Sequence, residues 1–260
     1  DKNEITFNPE FLREGTAIED FFKPDRIVIG GNNPHKLAVL KELYKTFEAE
    51  LIETDPVSSQ LIKYLANTYL PLRLSFVNEA SRLIDYSKGN QKDVLKGVGL
   101  DSRIGSHYFR PSPAWGGSCF PKDLIEVNNF YEEGKLSLPL ISNIIESNDI
   151  QSKWTVEKLI SILNEENMNS VLLVGAAFKE DTDDLRNSPT LDIYAKLLKK
   201  DVETIIYDEM VELETYKSLE NLEDVTEKTL VVLMYPVKTA LMDKIQTVVS
   251  KTNSVMYTPW

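Results

Sequence analysis

Apolar residues follow two different periods along this chain. "RIVIGG" at 26–31 carries the short continuous apolar run of a buried strand, and "PHKLAVLKELYKTF" places Leu37, Leu40, Leu43 and Phe47 along one side of a helix. "AELIET" at 49–54 returns to a strand pattern, so this stretch predicts a β-α-β unit. Upstream, "EITF" reads as a strand and "NPEFLREG" as a helix start. From Asp55 the texture becomes helical: an Asp55 cap with Pro56 at the first helical position opens a pattern that runs to Gly89. Pro71 lies inside it, removing one hydrogen bond and crowding the preceding turn, which predicts a kink or break near Thr68–Leu70. More helices are expected over 91–150, around the loop "RIGSHYFRPSPAWGGSCFPKD". After a helix at 153–165, "SVLLVGAAF", "VETIIYDE" and "TLVVLMY" read as buried strands and "SPTLDIYAKLLKK" as a helix. The chain therefore reads as α/β, then helical, then α/β again across 167–260, with no repeat or low-complexity tract.

Charge narrows the partners. With 29 basic and 41 acidic residues the net charge is -12, which repels nucleic acid and anionic membrane at long range. A local set of Lys and Arg can still hold a small anion. One cysteine cannot close an internal disulfide, and with two histidines it supplies no zinc ligand set; this fits a reducing, cytoplasmic compartment and no metal. The longest strongly apolar run, 170–178, is too short to span a bilayer, and no signal-peptide pattern opens the sequence. The chain starts at Asp1, already within a strand-like stretch, as a fragment would.

Chemistry concentrates in a few places. Cys119 sits in "GGSCFPKD". Most free cysteines are small buried hydrophobes, but here Gly116 and Gly117 permit close approach of a ligand and Lys122 adds positive charge beside the sulfur. Lys63 and Asn67, four apart on the long helix, share a face, and Glu10 and Glu14 have the same spacing. A solvated lysine and a charged helix face are the ordinary alternatives. "FKEDTDDLR" at 178–186 follows a buried strand directly, where parallel sheets bind ligands, although a polar turn looks the same. No G-x-G-x-x-G occurs; Gly97-Val98-Gly99 comes nearest, without the third glycine or a preceding strand.

Four stretches in order, "NPEFLREGTAIEDFFKPDRIVIG" (8–30), "KYLANTYLPLRLSFVNE" (63–79), "RIGSHYFRPSPAWGGSCFPKD" (103–123) and "FKEDTDDLRNSP" (178–189), resemble the signatures of the UDP-glucose/GDP-mannose dehydrogenase family of NAD-dependent nucleotide-sugar dehydrogenases. The resemblance covers nearly the whole chain. It implies an α/β architecture: a remnant of an N-terminal Rossmann domain at 1–55, an all-helical middle domain with a long central helix at 56–152, and a C-terminal Rossmann-like parallel domain at 153–260. It also implies NAD as cofactor and two successive oxidations at C6 of a nucleotide sugar, most closely UDP-glucose to UDP-glucuronate, with GDP-mannose or UDP-N-acetylmannosamine as alternatives.

On this resemblance Cys119 is the nucleophile that traps the aldehyde as a thiohemiacetal and then carries a thioester. Lys63 and Asn67 match the pair that steadies the oxyanion and holds water, Asp123 the acid that positions water and proton, and Glu14 the carboxylate of the hydrolytic step. Substrate contacts would come from Glu10, Phe11, Leu12 and Arg13, from Tyr108, Phe109, Arg110, Ser112, Gly116 and Gly117, and from Phe178 and Lys179. Arg103 would reach the sugar of a neighbouring subunit, while Arg186 and Lys122 would face the cofactor. A homodimer or higher homo-oligomer through the central helix is implied, with Leu61, Leu65, Tyr69, Leu72 and Phe76 either packed on a twin or in the chain's own core. The pattern departs from the family at Gln60, where an acid is expected, at Pro71, where a small residue is expected, and at the end, where Asp-x-Arg is missing. Most of the family's cofactor domain and its catalytic threonine are also missing, so this chain alone is expected to bind NAD weakly and turn over little or nothing. A non-enzymatic nucleotide-sugar-binding or oligomerisation module is the competing class.

Overall fold

A computed structural model describes residues 5–259, the side chains of 131–133 apart. The chain divides into two compact units, Asp1–Tyr69 and Leu70–Trp260.

In the first unit the elements are β1 (Thr6–Phe7), α1 (Ala17–Phe22), β2 (Arg26–Gly31), α2 (Pro34–Tyr44), β3 (Glu50–Thr54) and the opening turns of α3 (Pro56–Tyr86). The sheet order is β1-β2-β3, with β1 antiparallel to β2 and β2 parallel to β3. That parallel pair joined by α2 is the predicted β-α-β unit. Ile27 and Ile29 of β2 pack with Leu37, Leu40 and Tyr44 of α2 and with Phe47. Leu43, expected on the same side, is 64% exposed. At 100° per residue it lies off the face that Leu37, Leu40 and Tyr44 share, and the helix has ended before Phe47.

The predicted helix start at "NPEFLREG" is also corrected: residues 8–13 are not helical and α1 begins at Ala17. Long-range bonds hold this segment open. Asn8 donates through Nδ2 to the Val28 carbonyl at 2.8 Å, and Tyr44 donates to Asn8 Oδ1 at 2.6 Å.

Asp55 caps α3 as predicted, its Oδ1 accepting from the Val57 and Ser58 amides at 2.9 and 3.0 Å. The helix then runs unbroken from Pro56 to Tyr86 with Pro71 inside it, so the predicted break does not occur. Proline withholds a single N–H, and thirty other residues continue the helix; the two compact units nonetheless part at Tyr69/Leu70, within the stretch where the kink or break was expected. The helix stops where Lys88 takes a left-handed φ of 56° and the Gly89 amide donates back to the Ile84 carbonyl at 3.0 Å.

The second unit continues with α4 (Gln91–Gly99), α5 (Phe120–Glu133), α6 (Pro139–Ser142) and α7 (Ile144–Glu165). There follow β4 (Ser170–Val174), α8 (Pro189–Leu198), β5 (Thr204–Tyr207), β6 (Thr229–Leu233), α9 (Thr239–Lys251) and β7 (Val255–Tyr257). The helix expected at 153–165 is the second half of α7. The four strands are all parallel, in the order β5-β4-β6-β7. Successive strand residues face opposite sides, and both sides are covered. Val171, Leu173, Ile206 and Val232 pack with Val156 and Leu159 of α7 and Ile193 and Leu197 of α8. Leu172, Val174, Ile205 and Leu233 pack with Ile245 and Val248 of α9. Each such side chain, fully withdrawn from water, contributes about 1.5–3 kcal/mol. Because the chain passes from β4 outward to β5 and then back across to β6, the carboxyl ends of β4 and β6 form the switch point of the sheet.

Candidate active site

In the first unit the loop from Asn8 to Thr16 is pinned at several points. Lys63, near the start of α3, donates through Nζ to the Glu10 carbonyl at 2.6 Å and to Glu10 Oε1 at 2.9 Å. Its side chain is only 20% exposed, so it is not a solvated surface lysine. Phe11 has two cations near its ring, Arg26 at 3.7 Å and Lys63 at 5.5 Å from the centroid. Glu10 Oε2 accepts from the Leu12 amide at 2.8 Å.

Asp20 of α1 is buried and collects the other end of the loop. It accepts from the Arg13 amide at 2.8 Å, from Arg13 Nε at 3.1 Å and Nη2 at 2.5 Å, and from Thr16 Oγ1 at 3.1 Å. The hydrogen bonds from Arg13 hold its carboxyl far below the usual carboxylate range, with burial opposing. Glu14 sits in the turn between these anchors. The Glu10–Glu14 spacing thus belongs to an extended loop, and the shared helix face that it suggested does not exist. Lys63 and Asn67 do share a face of α3, as their spacing predicts.

In the second unit the cysteine segment is built on its neighbours. Trp115 donates its amide to Asn148 Oδ1 at 2.9 Å, receives Asn148 Nδ2 on its carbonyl at 2.8 Å, and donates its indole N–H to Ser75 Oγ at 2.9 Å. Gly116 and Gly117 then lie against the segment that follows β4. A Cβ on Gly116 would fall 1.9 Å from the Asn187 carbonyl oxygen. One on Gly117, whose φ is +95°, would fall 2.9 Å from the Phe178 ring. Asn187 Nδ2 donates to the Gly117 carbonyl at 3.0 Å. The glycines thus serve backbone docking of one chain segment on another. Cys119 follows, exposed, immediately before α5. Its carbonyl accepts from the Asp123 amide at 2.9 Å, so the two residues stand one helical turn apart at the start of α5. The Asp123 side chain is 7% exposed and Lys122 Nζ lies 3.7 Å from it.

The segment carrying Phe178 and Lys179 is equally fixed. Asp208, at the end of β5, accepts from the Ala176 amide at 2.7 Å and from the Tyr235 hydroxyl at 3.0 Å. Ser188 and Thr190 donate to the carbonyls of Ala176 and Gly175 at 2.6 and 2.7 Å. Gly175, with φ of +101°, leaves the switch point filled by Tyr235, whose ring would be 2.6 Å from a Cβ there. Burial, and after it the Asp208 carboxylate, hold the Tyr235 hydroxyl well above the ordinary tyrosine range.

The remaining expected residues stand apart. Arg103 and Arg186 are exposed and each grips an aspartate two positions away, Asp101 at 2.6 Å and Asp184 at 2.8 Å. Arg110 lies 4.0 Å from Glu180. Tyr108 is exposed at a left-handed φ of 52°, and Phe109 packs near Phe76 with ring centroids 6.4 Å apart. Ser112 is drawn inward, its amide donating to Asn78 and its carbonyl accepting from Gln151, both at 2.9 Å. Sequence reasoning missed Asp20, Asn148 and Asn187. Asn187 did carry a signal, an asparagine just before the Ser188-Pro189 helix start, where a left-handed residue fits.

A phosphate cradle for NAD is not found on the first unit's described residues. Beyond β2, a Cβ on Gly30 would fall 2.1 Å from Ser59 Oγ and 2.8 Å from the Asp55 carbonyl, so the chain itself fills that space. Among the described residues no group of histidine, cysteine and acidic side chains suits a metal ion, and no helix is long and apolar enough to cross a membrane.

Family models of the UDP-glucose/GDP-mannose dehydrogenases match throughout: the NAD binding domain at residues 1–48, the central domain at 57–150 and the UDP binding domain at 172–255. A UDP-glucose 6-dehydrogenase of Rickettsia conorii is 40% identical over 219 residues, covering 84% of this chain and 51% of that protein. One from Bacillus subtilis is 36% identical over 205 residues, covering 79% and 44%. The solved structure of a UDP-glucose dehydrogenase from Pyrobaculum islandicum superposes with a TM-score of 0.78 at 32% identity, covering 88% of this chain and 55% of that one. The chain spans about half the length of the curated relatives it matches.

Proposed function

Since the chain belongs to the UDP-glucose/GDP-mannose dehydrogenase family, we propose that it carries the thiol and the nucleotide-sugar-binding part of an NAD-dependent UDP-glucose 6-dehydrogenase. One observation carries this reading. The exposed thiol follows a segment whose glycines dock directly on Phe178 and Asn187, so the nucleophile's segment and the segment beyond β4 form one surface. A structural cysteine would need neither the exposure nor the docking.

On this reading Cys119 Sγ adds to C6 of the sugar aldehyde. The carbonyl π pair moves to oxygen, which takes up the thiol's proton, giving a thiohemiacetal. NAD, when bound, would accept the hydride of each oxidation, the second of which turns the thiohemiacetal into a thioester with release of the hydroxyl proton; the described residues of the first unit do not supply its phosphate turn. Water then opens the thioester, returning the proton to sulfur and leaving the carboxylate. Asp123, one helical turn along the chain from Cys119, is assigned to that water. Lys63 and Asn67 are assigned to the oxyanion and Glu14 to hydrolysis. Because Lys63 is held by Glu10, substrate has to take over contacts that Glu10 now makes. Arg186, gripped by Asp184, would turn to the cofactor only by leaving that pair. UDP-glucose is favoured over GDP-mannose by the relatives' names.

The surface of α3 supports assembly through that helix. Leu61, Leu65, Tyr69 and Phe76 are 46, 51, 57 and 58% exposed, while Leu72 packs in the chain's own core beside Trp115 and Leu124. Four exposed apolar side chains along one helix favour a second copy as partner. The single free thiol suits a cytoplasmic setting.

The test uses that single thiol. Iodoacetamide alkylation of Cys119 is followed by mass spectrometry with and without UDP-glucose, UDP-N-acetylmannosamine and GDP-mannose. UDP-glucose is expected to slow alkylation at the lowest concentration. If none of the three protects, the nucleotide-sugar site is not here.

A further inference from the structure

We propose that Asn187 is a positioning residue for the Cys119 thiol, clasping the cysteine segment to the segment that bears Phe178 and Lys179. Between Trp115, which Asn148 holds at both its amide and its carbonyl, and the first turn of α5, the chain must cross Gly116 to Ser118. Glycine backbone is the loosest available, and a thiol carried on it needs an external hold. Asn187 supplies it through one bond: its Nδ2 donates to the Gly117 carbonyl at 3.0 Å, and its backbone passes so close that a Gly116 Cβ would fall 1.9 Å from its carbonyl oxygen. Phe178 closes the other side, with its ring 2.9 Å from the Cβ position of Gly117.

Asn187 is itself held. Its φ is +50°, a left-handed conformation that asparagine tolerates, and the next residue, Ser188, caps α8 and donates to the Ala176 carbonyl at 2.6 Å. The chain of contacts from Ala176 through Ser188 and Asn187 to Gly117 ends two residues before the sulfur. The bearing of the thiol is thereby tied to the backbone that presents Phe178 and Lys179, rather than to the cysteine's own loop. A residue kept only for the left-handed turn before α8 would have no use for its side-chain amide.

This inference rests on the reading of Cys119 as the nucleophile, but its test needs no substrate. The chain has a single cysteine, so a nitroxide attached to Cys119 reports that segment alone. Its electron paramagnetic resonance spectrum is compared in the wild-type chain, in Asn187→Asp and in Asn187→Gly. Asp is isosteric but lacks the N–H, and Gly keeps the left-handed turn and removes the side chain. Loss of one neutral hydrogen bond corresponds to about a 2- to 10-fold rise in the undocked population, so the mobile spectral component should grow by that factor in both variants. The thermal midpoint should fall by no more than about 4 °C, which distinguishes a local release from unfolding. Spectra of the folded variants superimposable on the wild type would overturn the proposal. So would mobility raised in Asn187→Asp alone, because that traces to carboxylate repulsion and not to the lost bond. Absence of nucleotide-sugar protection in the unmodified wild-type chain would instead remove the enzymatic reading and leave the clasp standing.

Discussion

Substituting Asp20 by Asn keeps shape and removes charge at the point where the loop bearing Glu14 is tied down. The carboxylate accepts from the Arg13 amide, from Arg13 Nε and Nη2, and from Thr16 Oγ1. An asparagine retains one acceptor oxygen for these donors. Arg13 is 66% exposed, so its ion pair is solvent-screened and contributes at most about 1 kcal/mol. The shielded amide bond to a charged acceptor adds about 1.5 kcal/mol or more, and the loop should therefore loosen by roughly 2 kcal/mol. That is about a 30-fold rise in the open population. Trypsin cleavage after Arg13, followed by mass spectrometry, tracks this population when opening is fast relative to cleavage, and should accelerate by a comparable factor. The pH dependence has a definite sign. The folded carboxyl titrates below its unfolded value near about 3.9, so the stabilisation is complete above about pH 5 and is lost only as the pH falls through the depressed value. The gap in thermal midpoint between wild type and Asp20→Asn should therefore hold from pH 7 to 5 and narrow below about pH 4. Equal cleavage rates, or a gap that closes between pH 7 and 5, would refute the reasoning.

Gly117→Ala forces a side chain into φ of +95° against the Phe178 ring and should destabilise the chain by about 1–3 kcal/mol. Gly97→Ala, in α4 with nothing near the added methyl, should instead stabilise by up to about 1 kcal/mol; thermal melts of both variants check the contrast. Spectrophotometric titration should show Tyr235 and Tyr257 still protonated at about pH 11 while the chain is folded, since burial raises both and takes Tyr257 to about 12. These phenols ionise first in the unfolded chain, so stability should fall as the pH rises beyond about 10, and Tyr235→Phe should lessen that fall.

Local pattern sufficed wherever a short-range rule decides the outcome. Short apolar runs at 27–29, 171–174, 205–207 and 230–233 became the buried middles of β2, β4, β5 and β6 because side chains on both faces of these strands are withdrawn from water. Asp55-Pro56 opened a helix because cap and proline act within one turn. The chemistry-bearing stretches were also legible, through residue types in a recognisable order. The failures share one cause. Glu10 and Glu14 were spaced for a helix, but bonds from residues 20 to 53 positions away keep that segment open. Pro71 signalled a kink or break, and the thirty-one-residue helix runs on without the break.

The sequence by itself determined the order of strands and helices, the acidic surface and the lone thiol with its flanking glycines. Only the tertiary structure decided what those glycines are for. Their missing side chains make room for Asn187 and Phe178, some sixty to seventy residues further on, and no local period encodes a contact between segments so far apart.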